Sequence, residues 1–199
     1  MLWLVHIKLL TWSQPNQQCL VQSTIKGLKN QPVYFTFQGE KGNQIDTVLA
    51  VNDSFTYRAR IPTDSIINFS IDANNSVFFW YETDTITITG SVDALNSLHI
   101  TGTSENDVLE LFREQIERVY PKRIATAEGK MMDNPQKTQA TVEFITKHPD
   151  HRTSLYLLFM LTVFNPTEAK KYNILYRDFS PKVRTSKVGK QLGELLGES

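Results

Sequence analysis

The hydrophobic pattern of this 199-residue chain changes its period near residue 103. Before that point, apolar and polar residues alternate; in the run PVYFTFQ, for example, Val33, Phe35 and Phe37 fall on one face. A period of two residues is typical of half-buried β-strands. After Thr103 the apolar residues recur every three or four positions, which is typical of amphipathic helices. The change predicts a β-rich half followed by a helical half.

Short strands separated by turn signals account for the first half. Asn52-Asp53 is a hairpin-like turn, and Gly39–Asn43 is a second turn. The spacing of these signals is typical of a sandwich or barrel, and the short connections favour antiparallel pairing. The predicted strands are Cys19–Lys26, Pro32–Gln38, Gln44–Val51, Ser54–Ile61, Ser65–Ala73, Ser76–Glu82, Thr85–Thr89 and Leu98–Thr101.

The first predicted helix begins at Ser104, with Asp107 three residues later as in a capping box. Its apolar stripe runs through Val108, Leu111, Phe112, Ile116, Val119 and Tyr120. Pro121 kinks or ends this helix. The segment from Ile124 to Met132 could continue helically, although Gly129 and the pair Asn134-Pro135 favour a break.

Four further helices are predicted after this break. The segment Thr153–Phe164 is the most apolar of them and is expected at the centre of the helical part. In the helix that follows it, Ile174, Leu175 and Phe179 are expected to face inward. The segments are Gln136–Lys147, Thr153–Phe164, one beginning at Asn165-Pro166 and ending at Ser180-Pro181, and Thr185–Leu196.

The fold class that follows is α+β: an antiparallel β-sandwich-like domain over residues 19–103, with a helical region over residues 104–199 packed on it. Residues 1–18 are set apart as a degenerate signal sequence or disordered segment. Leu2–Trp12 is mostly apolar, but His6 and Lys8 interrupt it, and an ordinary first strand is the alternative.

Composition excludes several classes of function. The chain has 21 Lys and Arg against 21 Asp and Glu, so it lacks the basic surplus expected of a nucleic-acid partner. No apolar run is long enough to predict a transmembrane helix. Cys19 is the single cysteine, which rules out an intramolecular disulfide and a zinc site of several thiolates. Cys19 could be a lipidated cysteine, but a buried strand position is favoured.

Catalytic and cofactor motifs are missing from the sequence. There is no G-x-S-x-G elbow, no phosphate-binding P-loop and no G-x-G-x-x-G fingerprint, and no cofactor or metal is predicted. His148, Asp150 and His151 could hold a metal, but Pro149 separates the histidines and no third ligand lies nearby. A solvated loop is therefore favoured, and His99 is expected on an exposed strand face.

Four consecutive aromatic residues, Phe78, Phe79, Trp80 and Tyr81, form the candidate interaction surface. If the sheet is covered on one side only, two of them face outward and could bind a sugar ring or the apolar surface of a partner. The alternative is burial on both faces, by the second sheet and by the helices, and this alternative is favoured.

A series of short motifs resembles a known family. In order they are Ile25-Lys26-Gly27-Leu28, Asp46-Thr47-Val48 with Asn52–Phe55, Ile86–Gly90, His99–Asp107, His148-Pro149-Asp150 before Ser154–Leu158, and Val183–Gly189. Their order and spacing resemble the N-terminal domain of unknown function that precedes a thioredoxin-like domain in TlpA/ResA-like envelope thiol–disulfide oxidoreductases.

The resemblance implies a non-catalytic accessory or interaction domain in the periplasmic cell envelope. Its expected partners are a thioredoxin-like domain or another envelope protein, and a homodimer is a further expectation. The C-x-x-C domain of the family would follow near Gly189, so the resemblance supplies no catalytic residue here. Two alternatives stay open: a stand-alone carbohydrate- or peptide-binding module, and a metal enzyme or hydrolase using His148, Asp150 and His151.

Overall fold

The computed structural model describes residues 18–39, 42–59, 65–72, 76–125 and 131–198. The apolar segment Leu2–Trp12 lies outside the described residues. Eight strands form two four-stranded sheets that pack face to face. The strands are β1 Cys19–Lys26, β2 Pro32–Gly39, β3 Gly42–Leu49, β4 Ser54–Ala59, β5 Ile66–Ser70, β6 Ser76–Trp80, β7 Thr85–Ser91 and β8 His99–Thr101.

The strand order is β4-β1-β7-β8 in the first sheet and β3-β2-β5-β6 in the second. All neighbouring strands in these two sheets are antiparallel except β1 and β7, which pair in parallel from Leu20↔Thr85 to Lys26↔Ser91. The antiparallel pairing predicted for strands joined by short turns does not extend to this pair. Short turns specify only strands that follow one another, whereas β7 returns to the first sheet after the chain has built the second.

The sandwich core is built from the apolar side of each alternating strand. In β1, Cys19, Val21, Ser23 and Ile25 are buried, while Leu20, Gln22 and Thr24 between them are more exposed. Aromatic rings fill the space between the sheets: Phe35 stacks on Tyr57 with ring centroids 4.0 Å apart, and Phe69 lies 5.5 Å from Phe35. Such ring pairs stabilise a core beyond the area they bury.

The helical half packs around its own apolar cluster. Its helices are α1 Ser104–Phe112, α2 Pro135–Lys147, α3 Arg152–Phe164, α4 Ala169–Asp178, α5 Pro181–Arg184 and α6 Lys187–Leu196. A π-helical turn, Arg113–Glu117, follows α1. As predicted, α3 is central, because it contacts α1, α2, α4, α5 and α6. Its buried leucines, Leu155 and Leu158, belong to this cluster.

Two boundary predictions in the helical half are corrected. The stretch from Ile124 to Met132 is not helical where it is described: β9 Arg123–Ala125 and β10 Met131–Asp133 pair antiparallel. Pro121 and Pro135 flank this stretch, and proline disrupts a continuing helix. The N-cap of α1 is Thr103, and Ser104, the predicted cap, is the first residue of the helix. Asp107 still reaches back, because its Oδ1 accepts a hydrogen bond from the Gly102 N–H at 2.8 Å.

Two inward-facing predictions are also wrong. Val119 is 61% exposed and Ile174 is 67% exposed. In α4 the buried positions are Tyr172 and Tyr176, followed by Phe179 just after the helix. Their spacing of four and three residues defines the apolar stripe, and Ile174 lies off it.

Candidate binding groove and the sheet–helix junction

The aromatic run straddles the two sides of the second sheet. Phe79 and Tyr81 are buried in the sandwich core. Phe78 and Trp80 point the other way, toward α3, where their rings lie 5.4 and 5.9 Å from the ring of Tyr156. Trp80 is buried and Phe78 is half-buried. The four residues therefore do not form one exposed platform, and Phe78 alone keeps a partly open ring.

α1 covers the outer edge of β6 with polar side chains. Asn106 is fully buried and bonds both backbone groups of Trp80: its Oδ1 accepts from the N–H at 2.8 Å, and its Nδ2 donates to the C=O at 2.9 Å. Arg113 donates to the carbonyl oxygen of Phe78. Burial lowers the pKa of the Arg113 guanidinium, an effect that the charge of Glu110 opposes. Polar side chains here replace the strand that would otherwise continue the sheet.

The indole of Trp80 connects this edge to α3. Its Nε1 donates to the Thr153 hydroxyl oxygen at 2.8 Å, and that hydroxyl donates to the Glu105 carbonyl oxygen at 3.1 Å. The backbone N–H of Thr153 donates to Glu105 Oε2, also at 3.1 Å. α1, α3 and β6 are thus joined by one buried hydrogen-bond network, and such networks fix the relative position of the elements that they join.

The same helix also covers an edge of the first sheet. The Ile100 N–H in β8 donates to Glu110 Oε2 at 3.2 Å, and Arg118 donates to the Leu98 carbonyl oxygen at 3.0 Å. Arg118 also pairs with Glu110 Oε1 at 2.8 Å. One side of the sandwich, formed by the edges of β6 and β8, is therefore covered by α1 and the turns after it.

A groove of about 550 Å³ lies next to this junction, between β6 and the helices. Cavities of this size accommodate small ligands or a few side chains of a partner. Its apolar lining consists of Phe78, Phe112, Tyr156, Leu157, Met160, Leu161 and Phe164. Phe164 is 65% exposed at the end of α3 and forms an open rim. Glu117, Lys122 and Lys137 supply charge at the same groove. Burial and, secondly, the charge of Glu117 raise the pKa of Tyr156.

A second cleft, of about 500 Å³, is more polar. Its charged residues include Glu82, Glu105 and Arg152, and the Arg152 guanidinium lies 3.8 and 3.9 Å from those two carboxylates. The Arg152 guanidinium also lies over the Trp80 ring, 5.1 Å from its centre. These charges belong to the network that joins α1 to α3.

The two histidines considered as candidate metal ligands, His148 and His151, lie in the connection between α2 and α3. The ring centres of His148 and His151 are 6.2 Å apart, and His148 packs against Phe144 at 4.5 Å. His151 Nδ1 instead lies 3.6 Å from Glu105 Oε1. Burial lowers the pKa of His148, and the nearby charges of His151 and Lys147 add to that effect.

Within the described residues, a cluster with metal-ligand chemistry does occur at His99, Glu110 and Glu114. His99 Nδ1 lies 3.0 Å from Glu110 Oε1 and 3.4 Å from Glu114 Oε1. Arg118 contacts both carboxylates and supplies positive charge there already. No sequence motif indicated this cluster, because His99 lies in β8 and both glutamates lie on the next helical segment.

Cys19 lies at the start of β1 with its side chain in the sandwich core, as the favoured interpretation predicted. Burial raises the pKa of its thiol to about 11, so the thiol is neutral near neutral pH. A neutral, buried thiol is a poor nucleophile.

Fold and site together define a β-sandwich module with a helical cap and an apolar groove where the two meet. Residues 19–109 match the model of a family described as a domain of unknown function (DUF4369). The match covers β1 to β8 and the first part of α1. It confirms the expected domain of unknown function for that region and does not connect it with thioredoxin-like proteins. No curated protein matches the chain. Among the described residues, no helix combines the length and apolar character needed to cross a membrane.

Proposed function

We propose that this chain is a non-catalytic accessory module of an envelope thiol–disulfide oxidoreductase, and that its groove binds an apolar segment of a thioredoxin-like partner domain. The observation that carries the proposal is the apolar groove with its exposed rim residue, Phe164. Exposed aromatic residues beside a preformed cavity are the usual anchors of protein–protein interfaces.

The chemistry of the lining supports a protein segment as the occupant. Met160 and Leu161 provide adaptable apolar contacts, and Phe78 and Tyr156 provide flat ring surfaces. Lys122 and Lys137 can donate hydrogen bonds to carbonyl oxygens or carboxylates at the edges of a bound segment. An apolar core with a polar rim is the common anatomy of such interfaces.

The proposed identity of the partner rests on the family resemblance of the sequence and on the raised pKa of the Cys19 thiol. The motifs from Ile25 to Gly189 resemble the domain that precedes a thioredoxin-like domain in envelope oxidoreductases. Because burial raises the pKa of the Cys19 thiol to about 11, this thiol is unsuited to exchange, and the proposal assigns the reactive thiolates to the partner. A periplasmic location in the cell envelope is part of the same proposal.

Binding to the thioredoxin-like oxidoreductases encoded in the same genome tests this function. The full chain is titrated with each purified oxidoreductase, reduced and oxidised, in a calorimeter. The variant Phe164→Asp places a charge at the groove rim and should weaken binding at least tenfold. Ile174→Asp is the matched control, because Ile174 is equally exposed on α4 but does not line the groove. Absence of binding to every oxidoreductase, or equal losses in both variants, would refute the proposal.

A carbohydrate- or peptide-binding module is the second candidate. It is favoured by the partly open ring of Phe78 beside that of Tyr156, since sugars stack on such rings. A glycan and peptide array probed with the full chain tests it, with Phe78→Ser expected to abolish any signal. An array without binding, or a signal unchanged in that variant, removes this candidate.

A further inference from the structure

β3 is an edge strand of the second sheet. It pairs with β2 over its whole length, from Pro32↔Leu49 to Gly39↔Gly42. No strand among the described residues pairs with its other side. The edges of β6 and β8 differ from that of β3, because their backbone groups form hydrogen bonds with the side chains of Asn106, Arg113 and Glu110. A free edge offers a row of backbone donors and acceptors to another strand.

The register fixes which residues of β3 offer those groups. Past the end of the strand, the Ala50 N–H donates to the Gln31 carbonyl oxygen at 3.0 Å. In an antiparallel pair, residues that bond to one neighbour alternate with residues that bond to the other side. The even-numbered positions therefore bond to β2, and Ile45, Thr47 and Leu49 direct their backbone groups outward.

The side chains of these same three residues lie on the outer face of the second sheet. They stand opposite Thr36, Tyr34 and Pro32 of β2, on the side away from the buried Phe35. Ile45 is 65% exposed and Leu49 is 63% exposed. An apolar row beside a free edge is the combination that favours strand addition.

The segment of β3 carries few of the usual protections of an edge. The segment Gly42–Leu49 contains no proline and no lysine, and its pairing with β2 has no bulge. Its single charge is Asp46, on the inner face, where Oδ2 accepts a hydrogen bond from the Tyr57 hydroxyl at 2.6 Å. The outer row therefore carries no charge that would repel a second strand.

We propose that β3 pairs antiparallel with β3 of a second copy of this chain, about a twofold axis at Thr47. This axis places Thr47 opposite Thr47 and Ile45 opposite Leu49 of the second copy, so that both apolar residues are covered. An axis at Asp46 would instead set two aspartates against each other, and an axis at Ile45 would leave Leu49 beyond the strand. Like charges directly opposite destabilise a strand pair, whereas apolar pairs stabilise it.

The dimer goes beyond the proposed function and uses a different surface. In the second sheet, β3 and β6 are opposite edges, so the groove beside β6 stays open when β3 is paired. The two second sheets would form one continuous sheet across the twofold axis. Loss of the dimer and loss of partner binding are therefore separate results.

Engineered cysteines test both the dimer and its register in the full chain. Residues that directly face each other in a hydrogen-bonded antiparallel pair have Cα atoms about 5.5 Å apart. That separation lies inside the range of roughly 4.4–6.8 Å over which a disulfide forms. Thr47→Cys should therefore form a disulfide-linked dimer under mild oxidation. Ile45→Cys is the control: its two copies would lie roughly 14 Å apart along the paired strands.

Light scattering on the reduced proteins completes the test. The unaltered chain should be a dimer in the micromolar range, and Thr47→Lys should be a monomer because two lysines would meet at the axis. Ile174→Lys, on α4, should remain a dimer. A chain that is monomeric throughout this range overturns the proposal. Cross-linking at position 45 that equals or exceeds cross-linking at position 47 overturns the register.

Discussion

The side chain of Asn106 makes the hydrogen bonds to Trp80 that a neighbouring strand would otherwise make. Its side-chain amide accepts from the Trp80 N–H at 2.8 Å and donates to the Trp80 C=O at 2.9 Å, which reproduces the pairing of a neighbouring residue in a sheet. Asn106 Nδ2 also lies 2.7 Å from the Thr103 hydroxyl oxygen at the start of α1. A single buried side chain thus ends the second sheet and positions the helix that covers it.

Replacing Asn106 by Ala should destabilise the protein by about 2–4 kcal/mol, because two buried backbone groups of Trp80 lose their partners. The free energy of unfolding is measured by urea denaturation. Asn68→Ala serves as the control: Asn68 lies on the exposed face of β5, and its loss should cost less than about 1 kcal/mol. Equal losses in the two variants would contradict the structural role given to Asn106.

Replacing Thr153 by Val should lower the free energy of unfolding by about 1–3 kcal/mol. The valine keeps the shape of threonine but leaves the indole N–H of Trp80 without an acceptor. Thr146→Val, on the exposed side of α2, removes a hydroxyl that bonds only within its own helix. Urea denaturation should show a change of less than about 0.5 kcal/mol for this control. If Thr153→Val is equally mild, the Trp80–Thr153 bond does not hold α3 to the sheet.

The strands could be predicted from the sequence because the pattern that identifies a strand involves only residues close together in the chain. Alternation of apolar and polar residues marked β1 as Cys19–Lys26, which are its observed bounds. The same reasoning identified α3 as central because its segment is apolar around most of its surface. The parallel pairing of β1 with β7 depends on how distant segments meet, and no local pattern carries that information.

The junction could not be predicted for a related reason. On a helical projection, Asn106, Glu110 and Arg113 look like the solvated side of α1, yet all three are buried. They are buried because the edges of β6 and β8 need hydrogen-bond partners at that place, and only the assembled sandwich creates the need. The groove was missed likewise, since its lining comes from β6, α1, α2, α3 and the segments between them.

The stability of the protein should fall as the pH rises from about 9 to about 11, in part because of Cys19. The folded state holds the thiol proton more tightly than the unfolded chain, whose ordinary pKa is 9.0 against about 11 in the fold. This contribution is fully present below the unfolded pKa and is lost as the pH passes through the folded pKa. It amounts to about 2–3 kcal/mol.

Urea denaturation of the unaltered chain and of Cys19→Ala, at several pH values over this range, isolates the thiol. The alkaline loss of stability should be smaller in the variant. Burial also raises the pKa of Tyr57, so a residual decline at high pH is expected in both proteins. Identical pH profiles would show that the Cys19 thiol ionises as easily in the folded protein as in the unfolded chain.

Gly102, in the turn between β8 and α1, should not tolerate a side chain. Gly42 is the comparison, because its backbone φ is similar but it has more space around it. Both glycines have a positive φ, +102° and +104°, in a region that other residues rarely adopt. A methyl group at Gly102 would lie 2.5 Å from the Thr85 carbonyl oxygen, whereas at Gly42 nothing lies within 4 Å. Gly42→Ala should therefore lower the free energy of unfolding only through the strained backbone, by about 1–3 kcal/mol. Gly102→Ala should lower it by that amount plus about 1–3 kcal/mol for the clash. Urea denaturation of the two variants measures the difference, and losses of the same size would mean that β7 moves away from the turn at little cost.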